Sequence, residues 1–176
     1  PDVEIKHGMH CYACEPQRLE IVGMPNPRHW SASDEDWKVP KNWKEIIVEG
    51  FRDRLDRFRS FKLFMDICVR CGACADKCHF FLGSGDPKNM PVLRAELLRS
   101  VYRNDFTKAG KILGKLNGAR PMTENVLKEL WSYLYQCSEC RRCSLFCPYG
   151  IDTAEITIMG RELTNLLGLN IDWIAT

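Results

Sequence analysis

The run Cys68-Val69-Arg70-Cys71-Gly72-Ala73-Cys74-Ala75-Asp76-Lys77-Cys78 returns later in the chain as Cys137-Ser138-Glu139-Cys140-Arg141-Arg142-Cys143-Ser144-Leu145-Phe146-Cys147, followed by Pro148. Each cysteine of the second run lies 69 positions after its counterpart: 137 against 68, 140 against 71, 143 against 74, 147 against 78. Large apolar residues precede both runs, Phe64 and Met65 in one case, Tyr133 and Leu134 in the other. The chain therefore holds an internal, pseudo-twofold repeat. Each half is predicted to be a helix, a cysteine loop and a second helix.

The spacing speaks for iron–sulfur chemistry. A cubane cluster presents four iron atoms, and each takes one thiolate. Three cysteines two residues apart can wrap three corners from one short loop, which also aims backbone N–H groups at the sulfides. The fourth cysteine points away along the next helix. In two-cluster ferredoxins that fourth cysteine ligates the other cluster. On that rule Cys68, Cys71, Cys74 and Cys147 hold one [4Fe–4S] cluster, and Cys137, Cys140, Cys143 and Cys78 hold a second. Pro148 turns the chain away after the second run, as the motif expects; His79 takes that place in the first run and could donate a hydrogen bond to a cluster. Structural zinc normally pairs C-x2-4-C with a distant second pair, whereas here each run has a third cysteine at the same short spacing. Radical-SAM chemistry would want C-x3-C-x2-C, which is absent. Arg70, Lys77, Arg141 and Arg142 lie inside the runs, where anionic clusters need compensating charge.

Composition narrows the function classes. The chain has 176 residues, of which 45% are hydrophobic, enough for one packed domain and an appended arm. Twenty-five basic residues against twenty-three acidic ones give a formal charge of +2, which argues against a nucleic-acid binder. No apolar run approaches the roughly 18 residues of a membrane span, and residues 1–20 show no apolar signal segment. Eight of the ten cysteines fall in the two runs. Thiolate-bound clusters survive best in a reducing compartment, so a cytoplasmic location is expected, which leaves room for a place at the membrane surface through a partner.

The other two cysteines sit in a crowded N-terminal group, His7, His10, Cys11 and Cys14. Covalent haem is excluded, because Glu15 stands where histidine must follow the second cysteine. An additional metal site, a redox-active CxxC pair and unligated thiols remain open for this group.

Outward from the runs, residues 1–41 read as an extended arm broken by Pro16, Pro25, Pro27 and Pro40, ordered by Trp30 and Trp37. Residues 42–176 read as the helical domain. Asn42 with Glu45 resembles a capping box, and Trp43, Ile46, Ile47, Phe51, Leu55, Phe58 and Met65 recur at helical spacing. Leu93 to Tyr102 and Phe106 to Leu116 read as helices. Thr123 caps a helix through Val126, Leu127, Leu130, Trp131 and Leu134. Asp152 with Glu155 caps a last one through Ile156, Met159, Leu163, Leu166 and Leu167, which Gly168 stops. Almost nothing alternates with period two, so a mainly helical protein is predicted.

The stretches FRSFKLFMDICVRCGACADKCHFFLGSGDPKNMPVLRAELLRSVYR (58–103) and YQCSECRRCSLFCPYGIDTAEIT (135–157) resemble the C-type module of heterodisulfide reductases, an α-helical ferredoxin related to the iron–sulfur subunit of succinate dehydrogenase. The same stretches are similar to the DsrK family, the HdrD-like iron–sulfur subunits of the DsrMKJOP membrane complex. The resemblance covers about residues 25–176 and rests on two motifs specific for clusters. It implies an electron-transfer module that works with a cytochrome b subunit of the DsrM type, a quinol pool, a small DsrC-like thiol protein and the other subunits of that complex. It also implies a cysteine-rich CCG domain that reduces a disulfide or trisulfide. No CCG pair stands in this sequence, and no cysteine follows Cys147, so the catalytic domain is expected further along a longer protein or on another polypeptide, as in HdrC-like subunits. Two rival functions are weighed against the relay: an enzyme acting through Cys11 and Cys14, and a zinc-stapled interaction scaffold.

Overall fold

The computed structural model describes residues 39–169, together with the backbone of two short strands, β1 (Ile5–Lys6) and β2 (Met9–His10), which pair antiparallel. The rest of the expected arm lies outside the described residues.

The described domain is built from helices, as predicted. The first apolar stripe forms α1 (Trp43–Arg57) and α2 (Arg59–Ile67). The sequence suggested one continuous helix here. The break falls at Phe58, whose φ of −112° and ψ of 94° are extended, and whose ring is 41% exposed rather than in the core. The Asn42 capping box is also absent. Asn42 sits at φ −94° and ψ 21°, outside the extended geometry a capping side chain needs, and its amide makes no cap bond. A turn from the Pro40 carbonyl to the Trp43 N–H, 3.1 Å, starts the helix instead.

After the first cysteine run come α3 (His79–Ser84), a 3-10 turn over Pro87–Asn89, and α4 (Pro91–Phe106). Pro91 at the first position of α4 costs no hydrogen bond, because that N–H would have no helical partner. Helix α4 buries residues around most of its circumference, from Val92 to Tyr102, and so runs through the middle of the domain. Helix α5 (Lys108–Leu113) and a 3-10 turn (Gly114–Asn117) follow. The stretch from Phe106 to Leu116 reads as one helix in the sequence; it is broken at Thr107 and Gly114, and its Ile112 is 82% and Leu116 91% exposed. Gly114 and Gly118, both at positive φ, end α5 and the 3-10 turn that follows it.

Thr123 caps α6 (Glu124–Tyr135) by accepting from the Val126 N–H, and Asp152 caps α8 (Thr153–Asn165) by accepting from Ala154 and Glu155 N–H, both as the sequence predicts. Between them lies the short α7 (Arg142–Leu145). Helix α8 packs against α1, α2, α4, α6 and α7. Gly50 and Gly160 let α8 approach: a methyl added at Gly160 would stand 2.8 Å from Leu134. Phe51 centres an aromatic group with Phe106 at 5.1 Å, Phe61 at 5.5 Å and Tyr102 at 6.1 Å, which locks α1, α2 and α4 together. Among the described residues no helix is long and apolar enough to cross a membrane.

Candidate metal centre

The two cysteine loops share one unusual backbone. Arg70 and Glu139, each between the first and second cysteine of its run, have φ of 57° and 56°. The residues just after the second cysteines, Gly72 and Arg141, have φ of 79° and 58°. These left-handed positions are counterparts in the 69-residue repeat. They curl each loop around its own cysteines and turn backbone N–H groups inward; the Glu139 N–H reaches the Cys137 sulfur at 3.3 Å.

The curl leaves two cavities. One is walled by Cys68, Cys71, Cys74 and Cys147, with Val92, Arg99 and Thr153 behind them. The other is walled by Cys78, Cys137, Cys140 and Cys143, with Pro91, Arg94 and Ala154 behind. Each cavity thus takes three cysteines from one run and the last cysteine of the other. Neighbouring residues divide between them, Pro91 from Val92 on α4 and Thr153 from Ala154 on α8, so the two cavities are close neighbours on either side of two helix starts. The eight cysteines of the runs are all free thiols.

The donor set fits clusters better than single ions. Among the described residues no three His, Cys, Asp or Glu side chains converge as a mononuclear site requires. A zinc ion takes its four ligands at one point, about 2.3 Å from each sulfur, whereas a cubane cluster takes four thiolates, one on each iron. Burial pushes the Cys74 thiol up to about 11, and burial likewise raises Cys143 against hydrogen bonds from Ser144 and Thr153. Iron must therefore displace protons as it binds, which is general for thiolate sites.

The surrounding charge differs from the sequence expectation. Arg70, Lys77 and Arg141 do line the cavities, but each is tied to a carboxylate: Arg70 to Glu96 at 2.9 Å, Lys77 to Asp76 at 2.7 Å, Arg141 to Asp152 at 3.5 Å. Arg142 is exposed and lines neither cavity. Two cations that the sequence did not single out stand deeper. Arg94 and Arg99 are each 2% exposed, and Arg94 Nε and Arg99 Nη1 are buried without a hydrogen-bond partner. Their sequence signal is faint, because an arginine on a helix ordinarily points to water. His79 lies on the wall of the second cavity, with its Nε2 3.4 Å from Ser138 Oγ and its ring 4.5 Å from that of Phe80. Of the N-terminal group, His7, Cys11 and Cys14 lie outside the described residues, and for His10 only the backbone of β2 is described.

A family model for the 4Fe–4S dicluster domain matches residues 64–151, half of the chain. The chain is 58% identical over 170 residues, 95% of its length, to an Hdr-like menaquinol oxidoreductase iron–sulfur subunit of Archaeoglobus profundus. It is 57% identical over 171 residues, 97% of its length, to iron–sulfur subunit 2 of the Hdr-like menaquinol oxidoreductase of Archaeoglobus fulgidus. Over 92 residues, 52% of its length, it is 32% identical to the HdrD-type component of the dihydromethanophenazine:CoB–CoM heterodisulfide reductase of Methanosarcina barkeri, of which it covers 22%. The chain spans 30% and 31% of the lengths of the two Archaeoglobus relatives. No solved structure matches. A repeated cysteine loop, a helical frame and the match across both runs establish that the chain belongs to the 4Fe–4S dicluster domain family.

Proposed function

We propose that this chain is the two-cluster electron relay of an Hdr-like menaquinol oxidoreductase. One [4Fe–4S] cluster is held by Cys68, Cys71, Cys74 and Cys147, the other by Cys137, Cys140, Cys143 and Cys78. Such clusters supply one-electron chemistry at potentials set by charge, hydrogen bonds to sulfur and exposure. The chain's own residues fix the two centres side by side, exclude water with Val92, Pro91 and Ile151, and place charge around them.

The observation that carries this reading is the pair of neighbouring cavities, each walled by four free thiols drawn from both motifs. The crossing helps explain why the motifs repeat within one domain: the last cysteine of each run fastens the opposite half. Electrons pass between a membrane cytochrome b subunit that exchanges with the quinol pool and a site that reduces a disulfide or trisulfide. The resemblance to the DsrK family favours a DsrM-like membrane partner, the other DsrMKJOP subunits and a DsrC-like thiol protein, and so a role in dissimilatory sulfur metabolism at the inner face of the cytoplasmic membrane. The names of the Archaeoglobus relatives favour menaquinol as the quinol.

The test is iron, acid-labile sulfide and zinc per chain, with EPR of the dithionite-reduced protein, all without oxygen. About eight iron and eight sulfide per chain, with spin-coupled signals, support the relay. Zinc with no sulfide in natively purified protein overturns it. Reduction of both clusters by a menaquinol analogue in membranes that hold the cytochrome b subunit supports the partner; clusters that stay oxidised there count against it.

A further inference from the structure

Helix α4 carries two buried arginines five positions apart, and each faces a different cysteine cavity. Arg99 lines the cavity of Cys68, Cys71, Cys74 and Cys147; Arg94 lines that of Cys78, Cys137, Cys140 and Cys143. Both guanidinium groups are held by neutral partners. Arg99 donates through Nε and Nη2 to the Phe64 carbonyl, at 3.4 and 3.2 Å. Arg94 donates through Nη2 to Asn89 Oδ1 at 2.8 Å, and Asn89 in turn donates to Gln136 Oε1 at 2.7 Å, one residue before Cys137. No carboxylate pairs with either arginine among the described residues, and one buried nitrogen of each has no hydrogen-bond partner, Nη1 of Arg99 and Nε of Arg94.

An arginine stays charged in proteins. Burying such a charge without an anion costs several kcal/mol, and a buried N–H without an acceptor adds to that cost. A fold that places two such cations on one helix, aimed at two thiol-lined cavities, asks for two anions. A cubane with four thiolates is an anion with sulfur acceptors on every face.

We propose that Arg99 and Arg94 are the counter-ions of the two clusters, each donating its unpartnered N–H to sulfur and holding its cluster at a higher reduction potential. The inference rests on the two-cluster reading above. When a cluster takes up one electron its charge falls by one; no bond breaks and no proton is needed, because a permanent positive charge already stands beside it. The cations of the motifs themselves contribute less, since Glu96, Asp76 and Asp152 neutralise them.

Two measurements on the full chain, purified with its clusters, test this. The first is pulsed EPR of reduced protein grown with arginine labelled by 15N throughout the guanidino group. Each cluster should couple to guanidino nitrogen, and Arg99→Lys should erase the coupling of the cluster that Cys71→Ser abolishes. The second is an EPR-monitored redox titration. Arg99→Gln should lower the potential of that cluster by a tenfold change in its reduction equilibrium, about 59 mV for one electron, leave the other unchanged, and be largely reversed in Arg99→Lys. Arg94→Gln should do the converse. Both potentials unmoved in variants that retain their clusters would overturn the proposal. So would the absence of guanidino coupling in the wild type, a result that stands even where a glutamine variant fails to assemble. Failure of the two-cluster reading shows separately, as missing iron and sulfide in the wild type.

Discussion

Arg70 and Glu139 are structural counterparts with opposite charge: 69 positions apart, both hold left-handed backbone at φ 57° and 56°, and each is pinned by an ion pair to a buried helix. Arg70 meets Glu96 of α4, and Glu139 meets Arg161 of α8, whose guanidinium also reaches the Leu134 carbonyl at 2.8 Å. What the two positions share is conformation. A side chain there costs about 1–2 kcal/mol, and the ion pairs hold the strained loop in place.

The conformation can therefore be tested apart from the charge. Glu139→Gly removes the ion pair but also the strain, and should keep the cluster of the second motif with a lifetime near that of the wild type. Glu139→Val adds a β-branch where φ is positive and drops the ion pair as well. Its cluster should be lost roughly five to thirty times faster, matching about 1–2 kcal/mol. Bleaching of the visible absorption under an iron chelator, without oxygen, measures both.

Gly110 separates helix propensity from space. A methyl added there would sit 1.8 Å from the Arg103 carbonyl oxygen and 2.9 Å from Thr107 Oγ1. The carbonyl belongs to the last turn of α4 and cannot rotate away as a side chain could. Alanine gains about 1 kcal/mol of helix propensity, which the backbone clash outweighs. Gly110→Ala should lose about 2 kcal/mol net, or about 4–8 °C in an anaerobic melt. Gly83→Ala in α3, with nothing within 4 Å of the added methyl, should hold or raise the melting temperature.

Glu129 ties three segments together by accepting from Lys88, in the 3-10 turn before α4, and from Arg120 at 2.6 Å. Partial burial alone would raise its carboxyl, but the hydrogen bonds from Lys88 and Arg120 outweigh burial and hold it below the ordinary 4.5. A depressed carboxyl stabilises the fold above its unfolded value, and the contribution is lost as pH falls through the folded one. Glu129→Gln should cost about 1 kcal/mol near neutral pH. The gap to the wild type should persist down to about pH 4.5 and close below it, when anaerobic unfolding curves are compared at matched pH.

The helical frame was legible because its signals are local. Thr123 and Asp152 sit at the caps their side chains favour, and most of the α6 and α8 stripes is buried; the exceptions are Trp131, half-buried, and Leu166, which is 46% exposed just past the end of α8. The repeat was legible because left-handed loops around metal ligands need cysteines at fixed spacing. Other features depend on tertiary context. Phe58 continues the helical period yet sits at a break, since the chain must redirect before α2. Ile112, Leu113 and Leu116 carry a core-like pattern that no other helix covers in the described domain. Arg94 and Arg99 look like surface charges until α4 is seen to run through the middle of the molecule. The N-terminal group of His7, His10, Cys11 and Cys14 keeps the readings its sequence allows.

The most direct measurement of the two-cluster account exchanges the last cysteine of each run. Cys140→Ser and Cys71→Ser first identify the EPR signals belonging to the second and first motifs. Cys78→Ser should then perturb or abolish the signal of the second motif, although Cys78 stands in the first run, and Cys147→Ser should do the same to the signal of the first motif. The opposite pattern, in which Cys78→Ser strikes the first-motif signal and Cys147→Ser the second, would contradict the crossed ligation on which the relay is built.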